Sequence, residues 1–255
     1  MKDEAELEEK EVKPLSEHLE DLRRVLLKSV IAVGVGTFAC FYFAGPIVHV
    51  LERPFFDMLR STGQGEGAVL VSLKPAEVFM VSCKAALAAA IILTSPYVLY
   101  QLWTFVSPGL TGKERRVVIP ILASALIFSL IGIAFCYFFV LRLCLAFFWN
   151  YSNYMGVKQQ WTIGSYLSFA VTLLVAFAIA FEMPVAAALL AKFNLVRSRW
   201  LAGKRLHAAL VIFIVAAILT PPDVVSQLLL AFPMLGLYEL SILAARLLET
   251  REGEK

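Results

Sequence analysis

The chain has 255 residues, of which 60% are hydrophobic and 17% charged, with a mean hydropathy of +0.76 and a net charge of +3. A soluble domain averages about 45–50% apolar and about 25% charged. A soluble fold of this length could not hide so much apolar surface, so part of the chain must face lipid.

The four cysteines (Cys40, Cys83, Cys136, Cys144) lie in or at the ends of apolar runs and form no CxxC. They read as small hydrophobes, not as a disulfide frame or metal site. His18, His49 and His207 are scattered without metal-ligand spacing, and no cofactor is expected.

Residues 1–13 carry Glu4, Glu6, Glu8, Glu9 and Glu11 and read as a disordered cytoplasmic tail, not a signal peptide. Pro14 suits the first turn of a helix. The segment PLSEHLEDLRRVLL runs into the first apolar stretch, 25–43, at about 20 residues long enough to cross about 30 Å of hydrocarbon. Residues 44–75 are the longest non-membrane insert, with a short interfacial helix expected at 54–59 and a flexible loop marked by Gly63, Gly65 and Gly67. At KPAE (74–77) a helix restarts, with proline at its first position. Further spans are expected at 77–100, 117–141, 164–190, 206–220 and 225–245, the fifth short and the sixth kinked at Pro233. A single transmembrane domain therefore covers 14–246, and 247–255 form a C-terminal tail.

Lysine and arginine set the orientation. Seventeen of the 23 fall in the N-terminal segment, the 113–116 loop, the 192–205 loop and the C-terminus. Five fall on the opposite side, and Lys84 is left inside a span. The positive-inside rule then gives six spans with both termini cytoplasmic. Trp149, Tyr151, Tyr154, Trp161 and Tyr166 are placed as an outer aromatic belt.

The acids carry the functional reading. The loop SPGLTGKERR (107–116) is three-quarters positive in its ionisable residues, and Glu114 is the exception. Thr111 to Glu114 fits a capping box opening the third span. A carboxylate there is equally a receptor for a guanidinium, since arginine binds carboxylates through two parallel hydrogen bonds. Glu20 and Asp21 lie one turn before the membrane on the same side; Glu20 can simply pair with Arg24. Glu182 follows an almost wholly apolar run and precedes Pro184. An acid within a span costs about 2.5–3.5 kcal/mol on insertion scales and faces a cavity or partner as a rule. At Thr220–Asp223 a tight turn links the last two spans, with threonine as cap and Asp223 as the acid of the first turn. Thr220 and Gln227 place hydrogen-bonding groups at the ends of those spans, where they can bond across helices.

Together the motifs resemble the TatC family, the multi-spanning subunit of the twin-arginine protein translocase. The resemblance is carried by SEHLEDLRRVLL, KPAEVF, SPYVLYQLWTFVSPGLTGKERR, IGIAFCYFFV, FAIAFEMPVA and ILTPPDVVSQLLLAFPMLGLYE, in order over 14–240. It implies an all-α membrane protein: a cupped six-helix bundle with short fifth and sixth helices, in a bacterial or archaeal cytoplasmic membrane. It implies a receptor, not an enzyme, which reads consecutive arginines in the signal peptides of folded precursors. The matching recognition patch is Glu114 and Asp21, with Glu20, Arg23 and Phe105 beside them; Asp21 stands where the family usually has glutamate. Glu182 matches an intramembrane glutamate at a concave groove, and Asp223 the outer-turn acid. Thr220 and Gln227 match a cluster that docks the single-span subunits TatB and TatA. Further implied are a homo-oligomeric arrangement within the receptor complex, lipid contacts, no nucleic-acid partner, and the proton-motive force as driver. From the residues alone the alternatives are a proton-coupled small-solute transporter, given the acid within a span, and an intramembrane enzyme, for which no HExxH, GxSxG or paired aspartates occur.

Overall fold

A computed structural model describes residues 15–61, 69–106, 112–157, 160–193, 195–220 and 223–249; the side chains of 15–18, 99, 102–106 and 112–122 fall outside the description. The described chain is almost wholly helical. In order the helices are α1 (Leu15–Tyr42), α2 (Ala44–Ser61), α3 (Glu77–Val106), α4 (Gly112–Phe135), α5 (Leu141–Tyr154), α6 (Ile163–Ala180), α7 (Glu182–Lys192), α8 (Ser198–Gly203), α9 (Arg205–Leu219) and α10 (Val224–Leu248). Among the described residues, five stretches are long and apolar enough to cross a membrane: Leu19–Tyr42, Glu77–Val98, Ala123–Tyr154, Ile163–Lys192 and Val224–Leu248. A sixth apolar helix, Arg205–Leu219, has only 15 residues. At 1.5 Å per residue it rises about 22 Å.

Several elements depart from expectation in length. The insert helix is not a short piece at 54–59 but the 18-residue α2, which starts one residue after α1 ends. Its buried residues Val48, Leu51, Phe55, Met58 and Leu59 recur every three or four positions, so one face is anchored in the core. Pro54 lies in its interior and cannot donate to the carbonyl of Val50. The hydroxyl of Tyr137 donates to that carbonyl instead, at 2.7 Å, and Tyr166 donates to the next one, Leu51, at 2.6 Å. Tyr137 thus fills the place of the missing proline donor, and Tyr166 adds a second tie to the same turn.

The third expected span, 117–141, continues to Tyr154 through a π-helical segment, Cys136–Val140, that joins α4 to α5 without a break. The last helix is not short: α10 runs for 25 residues through Pro233. Helix α3 begins at Glu77, two residues after Pro75, so the proline lies in the preceding turn and not at the first helical position.

The main core gathers α2, α3, the π segment, α5, α6, α9 and α10. Phe55, Leu141, Leu145, Tyr166, Leu173, Phe177 and Leu230 are its largest enclosed side chains. Cys136 and Cys144 are fully buried within it as small apolar groups. Tyr166 and Trp149 belong to this core, which corrects their placement in an aromatic belt; Tyr151 and Tyr154 remain exposed. Against this core, α1 contributes little. Its Val30, Ile31, Val35 and Phe38 are exposed, a face fit for lipid, while α1 packs lengthwise on α3.

Two glycines allow close approach. A Cβ at Gly132 of α4 would meet the Phe177 carbonyl oxygen and the Phe181 ring at 2.7 Å, so α4 touches α6 backbone to backbone. A Cβ at Gly164 would collide with Glu77. That space is needed because Glu77 Oε1 accepts from the Gly164 amide at 3.0 Å, while its Oε2 accepts from Leu73 N–H at 2.8 Å. Beside this clasp, Val71 and Thr162 form a parallel bridge, with Val71 N–H bonded to the Trp161 carbonyl at 3.0 Å. The 69–76 connection is thereby fastened to the start of α6.

Candidate functional site

A groove of about 610 Å³ runs between α3, α6, α7, α9 and α10. Its walls are Leu87, Ala88 and Ile91 from α3, Val171, Val175 and Ile179 from α6, and Val211, Val215 and Leu219 from α9. Alanines 176 and 180 keep it open on the α6 side. Polar groups are confined to the end where Lys84, Ser168 and Thr172 meet.

Towards the other end of the groove lies Met183, and its neighbour Glu182 sits where the helix breaks. Phe181 ends α6 and precedes α7, whose third residue is Pro184. The proline has no N–H to give to the Ala180 carbonyl, and the helix bonding is interrupted there. Glu182 Oε1 is buried and has no hydrogen-bond partner among the described residues. An intramembrane carboxylate with a buried unpaired oxygen is costly. A site that keeps one is open to a polar partner. The expected weakening of the backbone by Pro184 is therefore present beside the acid.

On α1, Glu20 accepts from Arg24 at 2.8 Å, the i,i+4 pair that spacing predicts, with both side chains exposed. Asp21 is half-buried and Arg23 exposed. Phe105 lies in the last turn of α3 and Glu114 in the first turn of α4; their side chains, and Thr111 of the expected capping box, lie outside the described residues.

At the 220–223 turn the cap is reassigned. Asp223, not Thr220, is the N-cap of α10: its carboxylate accepts from Ser226 N–H at 2.7 Å and also from the Ser226 hydroxyl. Thr220 is buried and its hydroxyl donates back to the Ala216 carbonyl at 2.8 Å. Gln227 donates from Nε2 to the Phe213 carbonyl at 3.0 Å, a bond from α10 to α9. Thr220 and Asp223 thus finish the ends of their own helices, and Gln227 ties α10 to α9. Pro221 and Pro222 are outside the described residues.

The family model described as "Sec-independent protein translocase protein (TatC)" matches residues 17–233. The TatC of Carboxydothermus hydrogenoformans is 38% identical over 250 residues, covering 96% of this chain and 99% of the relative. That of Escherichia coli K12 is 38% identical, covering 92% and 89%. A crystal structure titled as the twin arginine translocase receptor TatC superposes with a TM-score of 0.81 at 35% identity, covering 91% of this chain and 99% of that one. The chain belongs to the TatC family. It is a multi-pass membrane protein and a component of the Sec-independent protein translocase, not an enzyme.

Two features of this TatC-family chain carry no signal in its sequence. Arg205 of α9 and Glu239 of α10 form a two-pronged pair, at 2.7 and 2.9 Å. Glu249 accepts from the Ser198 hydroxyl at 2.6 Å and so ties α8 to the end of α10. Sequence spacing carries no signal for such pairs, because their partners are 34 and 51 residues apart. Lys84, by contrast, stands out in the sequence as the cation left inside an apolar span.

Proposed function

We propose that the chain is the receptor core of the twin-arginine translocase, with six spans and both termini in the cytoplasm. Glu114 and Asp21, with Glu20, Arg23 and Phe105 around them, receive the two arginines of a signal peptide. The apolar part of that peptide then runs along the groove past Glu182. TatB and TatA dock at the end marked by Thr220, Asp223 and Gln227, and the proton-motive force drives transport.

The observation that carries this reading is the groove: an apolar channel of about 610 Å³ that ends at Met183, next in sequence to Glu182, whose buried oxygen has no hydrogen-bond partner among the described residues. A small-solute site would need converging polar groups, and the groove wall has few. An extended apolar peptide needs none. The charge distribution supports the orientation, with seventeen cations on one side against five on the other.

Changing Glu114 to alanine should abolish crosslinking to a twin-arginine precursor while the protein still accumulates in the membrane. Unchanged crosslinking in that variant would overturn the recognition claim.

A further inference from the structure

Lys84 is the one charged residue on the groove wall. It lies seven residues into α3, about 10 Å from the helix start at 1.5 Å per residue. Its Nζ donates to the Ser168 hydroxyl at 3.2 Å, and among the described residues no carboxylate forms a salt bridge with it. An ammonium has three protons to donate and is strongly hydrated in water. A serine oxygen satisfies one of them and carries no countercharge. Cations at such depth pair with an anion or reach one by snorkelling.

Below the ammonium the groove is apolar, and several of its residues are open to the surroundings: Leu87, Ile179 and Val211 are 44%, 62% and 56% exposed. The complement of one cationic end above an apolar channel is an amphiphile with one anionic head. Inside a bilayer the anionic amphiphile at hand is a phospholipid, and a groove of about 610 Å³ has room for one of its acyl chains.

We propose that Lys84 and Ser168 hold the phosphate of a phospholipid from the leaflet nearer the 69–76 connection, with one acyl chain lying in the groove along Val171 and Val175. The lipid head supplies the countercharge that the chain withholds, and the acyl chain covers the groove. The lipid fills the groove at rest, and a signal peptide taking the route proposed above displaces its acyl chain.

The test is lipid retention by the purified full chain in mild detergent, read by native mass spectrometry after titration with phosphatidylglycerol. The wild type should retain one phosphatidylglycerol through washing. Lys84→Gln should retain it at least tenfold less, and Lys84→Arg should match the wild type. Ala176→Trp, which fills the channel without touching the ammonium, should also lose it. Thermal melting of each variant checks that it is folded. Equal retention in folded Lys84→Gln or Ala176→Trp overturns the proposal. So does displacement of the lipid by an equal concentration of inorganic phosphate, which would make the site one for the anion alone. In proteoliposomes without a twin-arginine precursor, a photoreactive residue substituted at Leu87 should give an adduct of lipid mass; an adduct of protein mass there overturns the assignment.

Discussion

Glu182 shows how much one side chain can reveal. Its carboxylate follows an apolar run, precedes Pro184 and keeps a buried oxygen without a partner among the described residues. Position, proline and charge were all legible in the sequence, and the helix break at Phe181 is their structural consequence. If Glu182 serves only packing, glutamine and alanine should be tolerated alike. A polar role predicts otherwise: Glu182→Ala lowers export of a twin-arginine reporter well below Glu182→Gln, which keeps shape and hydrogen-bonding capacity. Normal export by both variants would assign the residue to packing. Tyr137 was not legible in this way. Its contact with the Val50 carbonyl joins residues 87 apart, and the only local hint was Pro54. Tyr137→Phe should cost about 1 kcal/mol of stability, the net worth of one hydrogen bond. In a Pro54→Ala background the helix supplies its own donor to Val50, so the same substitution should cost measurably less. A double-mutant cycle by thermal melting reads the difference; equal costs in both backgrounds would refute the repair.

At the scale of elements, apolar run length located the crossing helices well, because about 20 apolar residues can do little else in a chain this short of charge. Their ends were less accessible. The third span continued through Cys136–Val140 to Tyr154 because Leu141, Cys144 and Leu145 keep an apolar face packed in the core. The 54–59 piece grew into α2 for the same reason. Caps were assigned by residue type, and at the 220–223 turn two candidates competed. Thr220 is drawn back to Ala216, which leaves Asp223 to hold the first turn of α10. Asp223→Ala should therefore lower thermal stability by about 1 kcal/mol, the usual cost of losing an N-cap. Asp223→Asn should lower it far less, since asparagine caps nearly as well. A melt in which the two variants are indistinguishable would locate the role of Asp223 outside the cap.

For the molecule as a whole, the groove is the feature least visible in the sequence. Its spans are apolar nearly all round, so no stripe of residues marks which face turns inward, and the small residues that keep it open, Ala176 and Ala180, are common in any membrane helix. The acids proposed for recognition stand out among cations in the sequence; the groove does not, because it is defined by shape. These two parts can be separated experimentally. Val175 lines the groove at mid-height on α6, well away in sequence from Asp21 and Glu114. Val175→Trp adds bulk inside a channel of about 610 Å³. If arginine recognition and accommodation of the apolar segment are successive steps, this variant should still crosslink a twin-arginine peptide from positions beside Glu114. It should lose crosslinks from Ile91 on the opposite wall, and export should fall severalfold. Loss of both sets of crosslinks would mean that the two steps are one. Retention of the Ile91 crosslinks with normal export would remove the groove from the peptide's route.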